Sequence, residues 1–438
     1  MLGRLGFDRV FQLVRHRSFQ NFVFLFIIQI SNVLISLISM PLLIQSLGVD
    51  QFGLVNLSLS AVYLANVWVT FGFNLSGPRE IAINQESSHA MSEVASRVFF
   101  SKLLFAILAC VILGILIMAF DFFSGYRIIL LFSLLLLFSE ATQSTWFFQG
   151  LERMRWVSLA NLFSKGLYLA ALILFIRAPE DAKWVNFLLG FTAFGLNLLL
   201  IGYIHFKLQI RLVFPEWKAM LRSWKDNFPL FLSGVASYLS VSGGLIILSF
   251  FASATVLGMF SMAEKITMVL RMVPTLITQA VYPNASKLSS TDPLQFYAFL
   301  RKIYVGAIFL SLITTVVVFL FSPQIIWFLS KKDLEESINY LRMLSFVPLL
   351  ASLNIANMIM ILVENLNKLL FSATWMSCCF MILSCTGLGY LFGGIGLAYG
   401  LLATEVFIFI TCLFLLKGKN TPHFEAFYKT LFGSHYPA

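Results

Sequence analysis

The chain has 438 residues, 59% of them hydrophobic and 11% charged, with 47 Phe and a mean hydropathy of +0.88. Soluble globular chains carry about a quarter charged residues, and no soluble core absorbs this much apolar surface, so a soluble fold is excluded. The net charge of +10 then reads as a membrane-topology signal and an attraction to anionic headgroups, with no nucleic-acid partner.

The first 18 residues are basic and precede an apolar run, as in a signal peptide, but the run is too long and no small-residue cleavage site follows. Phe7, Val10, Phe11 and Val14 instead fit a short amphipathic helix on the inner membrane surface. Twelve apolar runs follow, each of about the 20 residues needed to cross ~30 Å of hydrocarbon as helix. They are Phe22 to Leu43, Leu54 to Leu75, Val98 to Phe120, Ile128 to Phe148, Val157 to Ile176 and Val185 to Ile204 in the first half. In the second half they are Phe228 to Phe250, Thr255 to Val281, Tyr304 to Phe321, Ile338 to Val363, Leu369 to Leu391 and Ile395 to Leu416. The expected fold class is an all-α integral membrane protein of about 12 transmembrane helices.

With the amino terminus inside, 21 of the 30 basic residues fall on the cytoplasmic side, Arg97 and Lys102 among them. Only Arg127, Arg177, Lys183, Lys331 and Lys332 fall outside, so both termini are expected to be cytoplasmic. Cys110, Cys378, Cys379, Cys385 and Cys412 all lie within spans, where they pack most simply as small apolar groups. The five histidines have no metal-ligand spacing. No GxxxxGK[ST] loop is present, and no cofactor is expected. The outer loops are too short for a catalytic acid constellation, which leaves a membrane glycosyltransferase or polymerase as the weakest hypothesis.

Asn21-Phe22 and Asn227-Phe228, Gly53 and Gly258, Pro78 and Pro283, and Arg97 and Lys302 recur at an offset of 205 or 206 residues. A shared offset marks a duplicated unit, and two copies that start on the same side of the membrane are parallel repeats. The expected organisation is a six-helix lobe over residues 1–206, a basic cytoplasmic linker over 207–225, a second six-helix lobe over 226–416 and a cytoplasmic tail over 417–438. Transporters of this plan bind substrate between the lobes.

Charges inside spans are costly and almost always face a bundle interior or a wet cavity. In the eighth span Glu264, Met268, Arg271, Thr275 and Thr278 share a helix face, with Lys265 beside it. Gln29, Asn32, Ser36 and Ser39 run down the first span, and Ser233, Ser237 and Ser240 down the seventh. These stripes suit a polar cleft; helix packing through small polar residues is the alternative. Glu140 and Lys165 lie at matched depth on either side of the Leu151-Glu152-Arg153 turn and are expected to form either an ion pair or a gate. Glu405 has no partner visible in sequence and reads as a packing residue or a coupling-ion site. Arg342 adds a fourth basic group within the spans, and Pro229, Pro274 and Pro348 are candidate hinges or static bends.

The segments PLLIQSLGVDQFGLVNLS (41–58), FGFNLSGPREIA (71–82), WFFQGLERM (146–154), LGMFSMAEKI (257–266) and QAVYPNASKL (279–288) resemble polysaccharide biosynthesis proteins of the Wzx type. These are lipid-linked oligosaccharide flippases related to the multidrug and toxin exporters. The resemblance covers nearly the whole chain. It implies a bacterial inner-membrane protein that moves an undecaprenyl-diphosphate-linked repeat unit, such as O-antigen, to the outer leaflet, with membrane lipid as a further partner and a polysaccharide polymerase and chain-length regulator as neighbours. Arg79 and Lys265 match basic positions of the family motifs, whereas Arg271, Arg342 and Lys165 are additions of this sequence. The expected substrate-binding set is therefore Arg79, Lys265, Arg271, Arg342, Gln29 and Asn32. The expected gating or coupling set is Glu140, Lys165, Glu264 and Glu405. An ion-coupled exporter of small drugs or sugars is the alternative.

Overall fold

Helices and the turns between them account for the regular structure of the described residues, which are 17–419 and 422–431 of a computed structural model. The first half comprises α1 (Arg17–Thr70), α2 (Phe73–Ile83), α3 (Ser88–Ala119), α4 (Arg127–Ser133), α5 (Leu135–Thr142), α6 (Thr145–Gly150), α7 (Arg155–Phe175) and α8 (Ala182–Phe206). The second comprises α9 (Trp217–Ser242), α10 (Gly244–Leu248), α11 (Ala254–Thr291), α12 (Pro293–Ser330), α13 (Glu335–Leu344), α14 (Val347–Leu353), α15 (Ile355–Val363), α16 (Asn367–Gly418) and α17 (Pro422–Leu431). The amphipathic helix expected at residues 7–14 lies outside the described residues.

Helix α1 has 54 residues and α16 has 52, a length of roughly 80 Å at 1.5 Å per residue, far more than one crossing needs. Each is broken once by a glycine with positive φ, Gly48 at 81° and Gly393 at 59°, a conformation that costs glycine little and other residues more. The breaks fall between the first and second and between the eleventh and twelfth expected spans. Among the described residues, eight helical stretches are long and apolar enough to cross a membrane, and two of them contain these breaks. The more polar α9–α10 and α11 occupy the seventh and eighth expected spans. The architecture is that of about twelve transmembrane helices.

The fourth and tenth spans are not single helices. The fourth is divided into α4, α5 and α6, with Gln143 extended at ψ 120°, and the tenth into α13, α14 and α15. Both are the fourth span of their repeat, so the interruption recurs along with the sequence landmarks.

The chain divides after Val235, within α9, into two compact units. In unit 1 the family motifs pack against one another. Gly77 of SGPREIA leaves room for the Trp146 ring of WFFQG, where a Cβ would come within 2.7 Å, and a Cβ on Gly150 would meet the Pro78 carbonyl oxygen at 2.7 Å. Gln85 donates to the Gly150 carbonyl at 2.6 Å, and Arg97 pairs with Glu80. These motifs form a clasp between α2 and α6, set into an aromatic core of Phe71, Phe73, Phe147 and Phe148. Residues 207–216 precede α9 without regular structure. Their backbone is pinned to α3, with the Arg211 and Val213 amides donating to the Ser92 and Ser96 hydroxyls at 3.1 and 3.0 Å. The basic residues Lys218, Arg222 and Lys225 belong to the first turns of α9.

In unit 2 the core gathers Phe296, Leu300, Ile359, Met360 and Phe427. Helix α17 contributes Phe427, and its Tyr428 hydroxyl donates to Asn357 at 3.0 Å, so this part of the expected tail is a packed helix. Pro229 and Pro274 lie inside helices, and the Ser233 and Thr278 hydroxyls, one turn on, donate to their carbonyls. Pro348 sits in the first turn of α14, where its missing N–H costs no helical bond.

Candidate functional site

In unit 2 the charges of α11 fall into two groups. Glu264 is 8% exposed and lies beside Gly244 of α10, close to Leu397 and Leu401 of α16. Lys265, half buried at the next position, interacts electrostatically with it. Two turns on, the Arg271 guanidinium reaches Glu405 of α16 at 2.6 Å. The side chains are 20% and 7% exposed, and a charge-assisted bond this short is among the stronger polar contacts a protein makes. Glu405, without a visible partner in sequence, thus has one 134 residues away, and Arg271, expected to be a substrate cation, is neutralised by it. Arg342 belongs to neither group. Its Nε donates to Ser322 of α12 at 3.2 Å, and its guanidinium lies over the Phe319 ring.

In unit 1 the expected ion pair of Glu140 and Lys165 is not formed. Glu140 is instead 3.8 Å from Lys102 of α3. The turn between the fourth and fifth spans sets equal depth but not facing directions. The segment α5 packs on α8, α3 and α1, whereas α7, which carries Lys165, packs mainly on α8 and α1, so α3 with Lys102 is a neighbour of α5 in particular. Lys165 is half buried. Lys102 was expected among the cytoplasmic basic residues, yet it is fully buried at 0% exposure, with its Nζ 3.2 Å from the Gln143 carbonyl. Its position inside the third expected span, Val98 to Phe120, is the signal of that burial in the sequence.

Arg79 is exposed on α2 beside the paired Glu80, and Gln29 and Asn32 are exposed on α1. Ser31, between them and absent from the expected stripe, is the residue α1 uses for packing: its hydroxyl donates to Asn161 of α7 at 2.9 Å. Asn186 and Asn197 of α8 were also missed. Asn186 donates to the Val55 carbonyl and to Ser133 at 3.0 and 2.9 Å, and Asn197 to the Ser139 carbonyl at 2.9 Å. These amides brace α8 against α1 and the broken fourth span, a role that buried polar groups fill when every donor finds an acceptor. Among the described residues no group of His, Cys, Asp and Glu is placed to hold a metal ion.

The chain is similar over 403 residues, at 28% identity, to the Shigella dysenteriae protein named "Putative O-antigen transporter", with 91% of this chain and 99% of the relative covered. The fold is similar to that of the solved "Lipid II flippase MurJ, inward closed conformation", at a TM-score of 0.69 and 16% identity over 95% of this chain and 94% of the other. It is also similar to an inward-facing multidrug resistance MATE family transporter of the MOP superfamily, at a TM-score of 0.62 and 16% identity over 91% and 99%. These likenesses place the twelve helices in the two-lobed MATE-like architecture. Residues 18–289 and 297–434 match two family profiles, each described as polysaccharide biosynthesis protein, and the chain, a multi-pass membrane protein, belongs to that family.

Proposed function

We propose that the chain is a transporter rather than an enzyme, moving an undecaprenyl-diphosphate-linked oligosaccharide from the cytoplasmic to the periplasmic leaflet of a bacterial inner membrane by alternating access. Family membership supports lipid-linked polysaccharide transport at the coarse level. The observation that carries the finer reading is Lys265, a half-buried lysine held within a membrane span next to a buried carboxylate. An ammonium binds phosphate oxygens as a compact point charge, and Glu264 tempers the field so that the headgroup is released again. Headgroup contact is assigned to Lys265 beside Glu264, with the exposed Arg79 as a separate candidate contact, while Arg271 is held by Glu405. With the cell interior negative, moving two negative charges outward is favoured by about 4.6 kcal/mol per 100 mV, so ATP is not needed.

The test is glycan export in a flippase-null strain at matched expression. Lys265→Ala is expected to abolish export while the protein stays membrane-inserted, and Lys265→Arg to retain more. Unchanged export with Ala at both Lys265 and Arg79 overturns the assignment. A small-molecule exporter is the second reading, favoured by Glu264 and Glu405, the two buried carboxylates among the described residues of unit 2. Cells lacking the protein decide between the two, because only the flippase reading expects a lipid-linked oligosaccharide to accumulate on the inner leaflet.

A further inference from the structure

The fourth span opens where α5 ends. At Gln143 the backbone turns extended, and the Phe147 amide, which would close the next helical turn on the Gln143 carbonyl, bonds to Ser144 instead. The freed carbonyl accepts the Lys102 ammonium at 3.2 Å, and the Glu140 carboxylate lies 3.8 Å from the same nitrogen. Main-chain carbonyls released at helix breaks are the groups with which discontinuous membrane helices coordinate small cations, and here the Glu140 carboxylate of the preceding turn stands beside one. The chain places its own cation against both. Lys102 is fully buried, its neighbour Ser101 accepts from the Trp224 indole at 2.8 Å, and the break borders a cavity of about 20 Å³ lined by Thr142, Gln143 and Ser144, room for about one water.

We propose that Lys102 is a tethered internal cation. Its ammonium fills a monovalent-cation site formed by the Gln143 carbonyl and the Glu140 carboxylate, so that this site exchanges no ion with the medium. The inference rests on the transport reading above and sharpens its energetics: unit 1 keeps a fixed charge at this site, and no sodium or potassium gradient is drawn on there. A lysine that merely offsets a stray carboxylate needs no freed carbonyl. A tethered ion does, since it must satisfy several donors in the place of a hydration shell.

Chemical rescue separates the two. Lys102→Ala removes the tether and leaves the donors, so the purified variant should gain thermal stability with propylammonium, sodium or potassium chloride over choline chloride at equal ionic strength. The expected rise is about 3 °C or more, saturating with concentration; wild type should show no such difference. In the Lys102→Ala, Glu140→Gln double variant the rise should vanish. No cation-specific rise in Lys102→Ala, or an equal rise in wild type, overturns the proposal. If Lys102→Ala does not accumulate in cells, growth with propylamine in the medium replaces the thermal readout: recovery of folded protein supports the proposal and its absence overturns it. Neither readout requires transport, so a failure here leaves the flippase reading standing, and a failed export assay leaves the cation site standing.

Discussion

Replacing Arg271 by Ala leaves the Glu405 carboxylate, 7% exposed, without its counter-charge inside a membrane-spanning bundle. Removing one member of a buried pair costs about 3–5 kcal/mol. The partial exposure of Arg271, 20%, and the ability of a membrane-inserted unfolded state to find other partners set the expectation at the low end, about 3 kcal/mol. Over a unit of this size that is a fall in thermal midpoint of roughly 6–12 °C. Glu405→Ala should cost a similar amount by stranding the guanidinium, whereas Glu405→Gln keeps an acceptor and should cost less. The double variant Arg271→Ala, Glu405→Ala should lose far less than the sum of its parts, a coupling of about 1.5–3 kcal/mol, and Arg271→Glu with Glu405→Arg should recover part of the loss. The assay is thermal unfolding of detergent-purified protein by intrinsic fluorescence, with membrane-inserted yield as a second readout. Additive losses in the double variant refute the pairing and return Arg271 to the set of cations available to substrate.

Gly150→Ala drives a Cβ to 2.7 Å from the Pro78 carbonyl oxygen, backbone that cannot rotate away, and is expected to destabilise unit 1 by about 1–3 kcal/mol, seen as a lower melting midpoint. Asp181 accepts the Arg177 and Ala178 amides at 3.0 Å each, and these bonds hold its carboxyl below the usual aspartate range. Its contribution is therefore complete above the ordinary aspartate pKa and is lost as pH falls through the depressed value. Hydrogen exchange at the Arg177 and Ala178 amides should accelerate, relative to an unstructured reference, across that acid range in wild type and show no such step in Asp181→Asn. Orientation is tested with cysteines introduced at Asp50, Asp181 and Gly393, expected to react with an impermeant thiol reagent from outside, against Glu86 and Trp217, expected to be protected; the reverse pattern overturns the topology.

The exposed stripe residues show how far periodicity reaches. It singled out Gln29 and Asn32, which are exposed, and passed over Ser31 between them, which binds Asn161. Facing directions depend on which helices are neighbours, and neighbour choice is a property of the whole bundle. The family motifs were legible as landmarks, but their mutual packing through Gly77, Trp146 and Gly150 required coordinates, because a close approach is visible in sequence only as a small residue. The broken fourth and tenth spans were invisible for a related reason: an apolar run reads the same whether or not its backbone ladder is interrupted.

The number and approximate limits of the spans, the duplication and the family membership were all determined by the sequence alone. Each depends on a quantity summed along the chain: transfer of about 20 consecutive residues into hydrocarbon, or similarity at a constant offset. Only the tertiary structure decided which charge meets which. Glu140 pairs with Lys102 rather than Lys165, and Glu405 with Arg271. A charge in low dielectric must find its counter-charge within a few ångströms, and sequence separation says nothing about that distance once a dozen helices have packed.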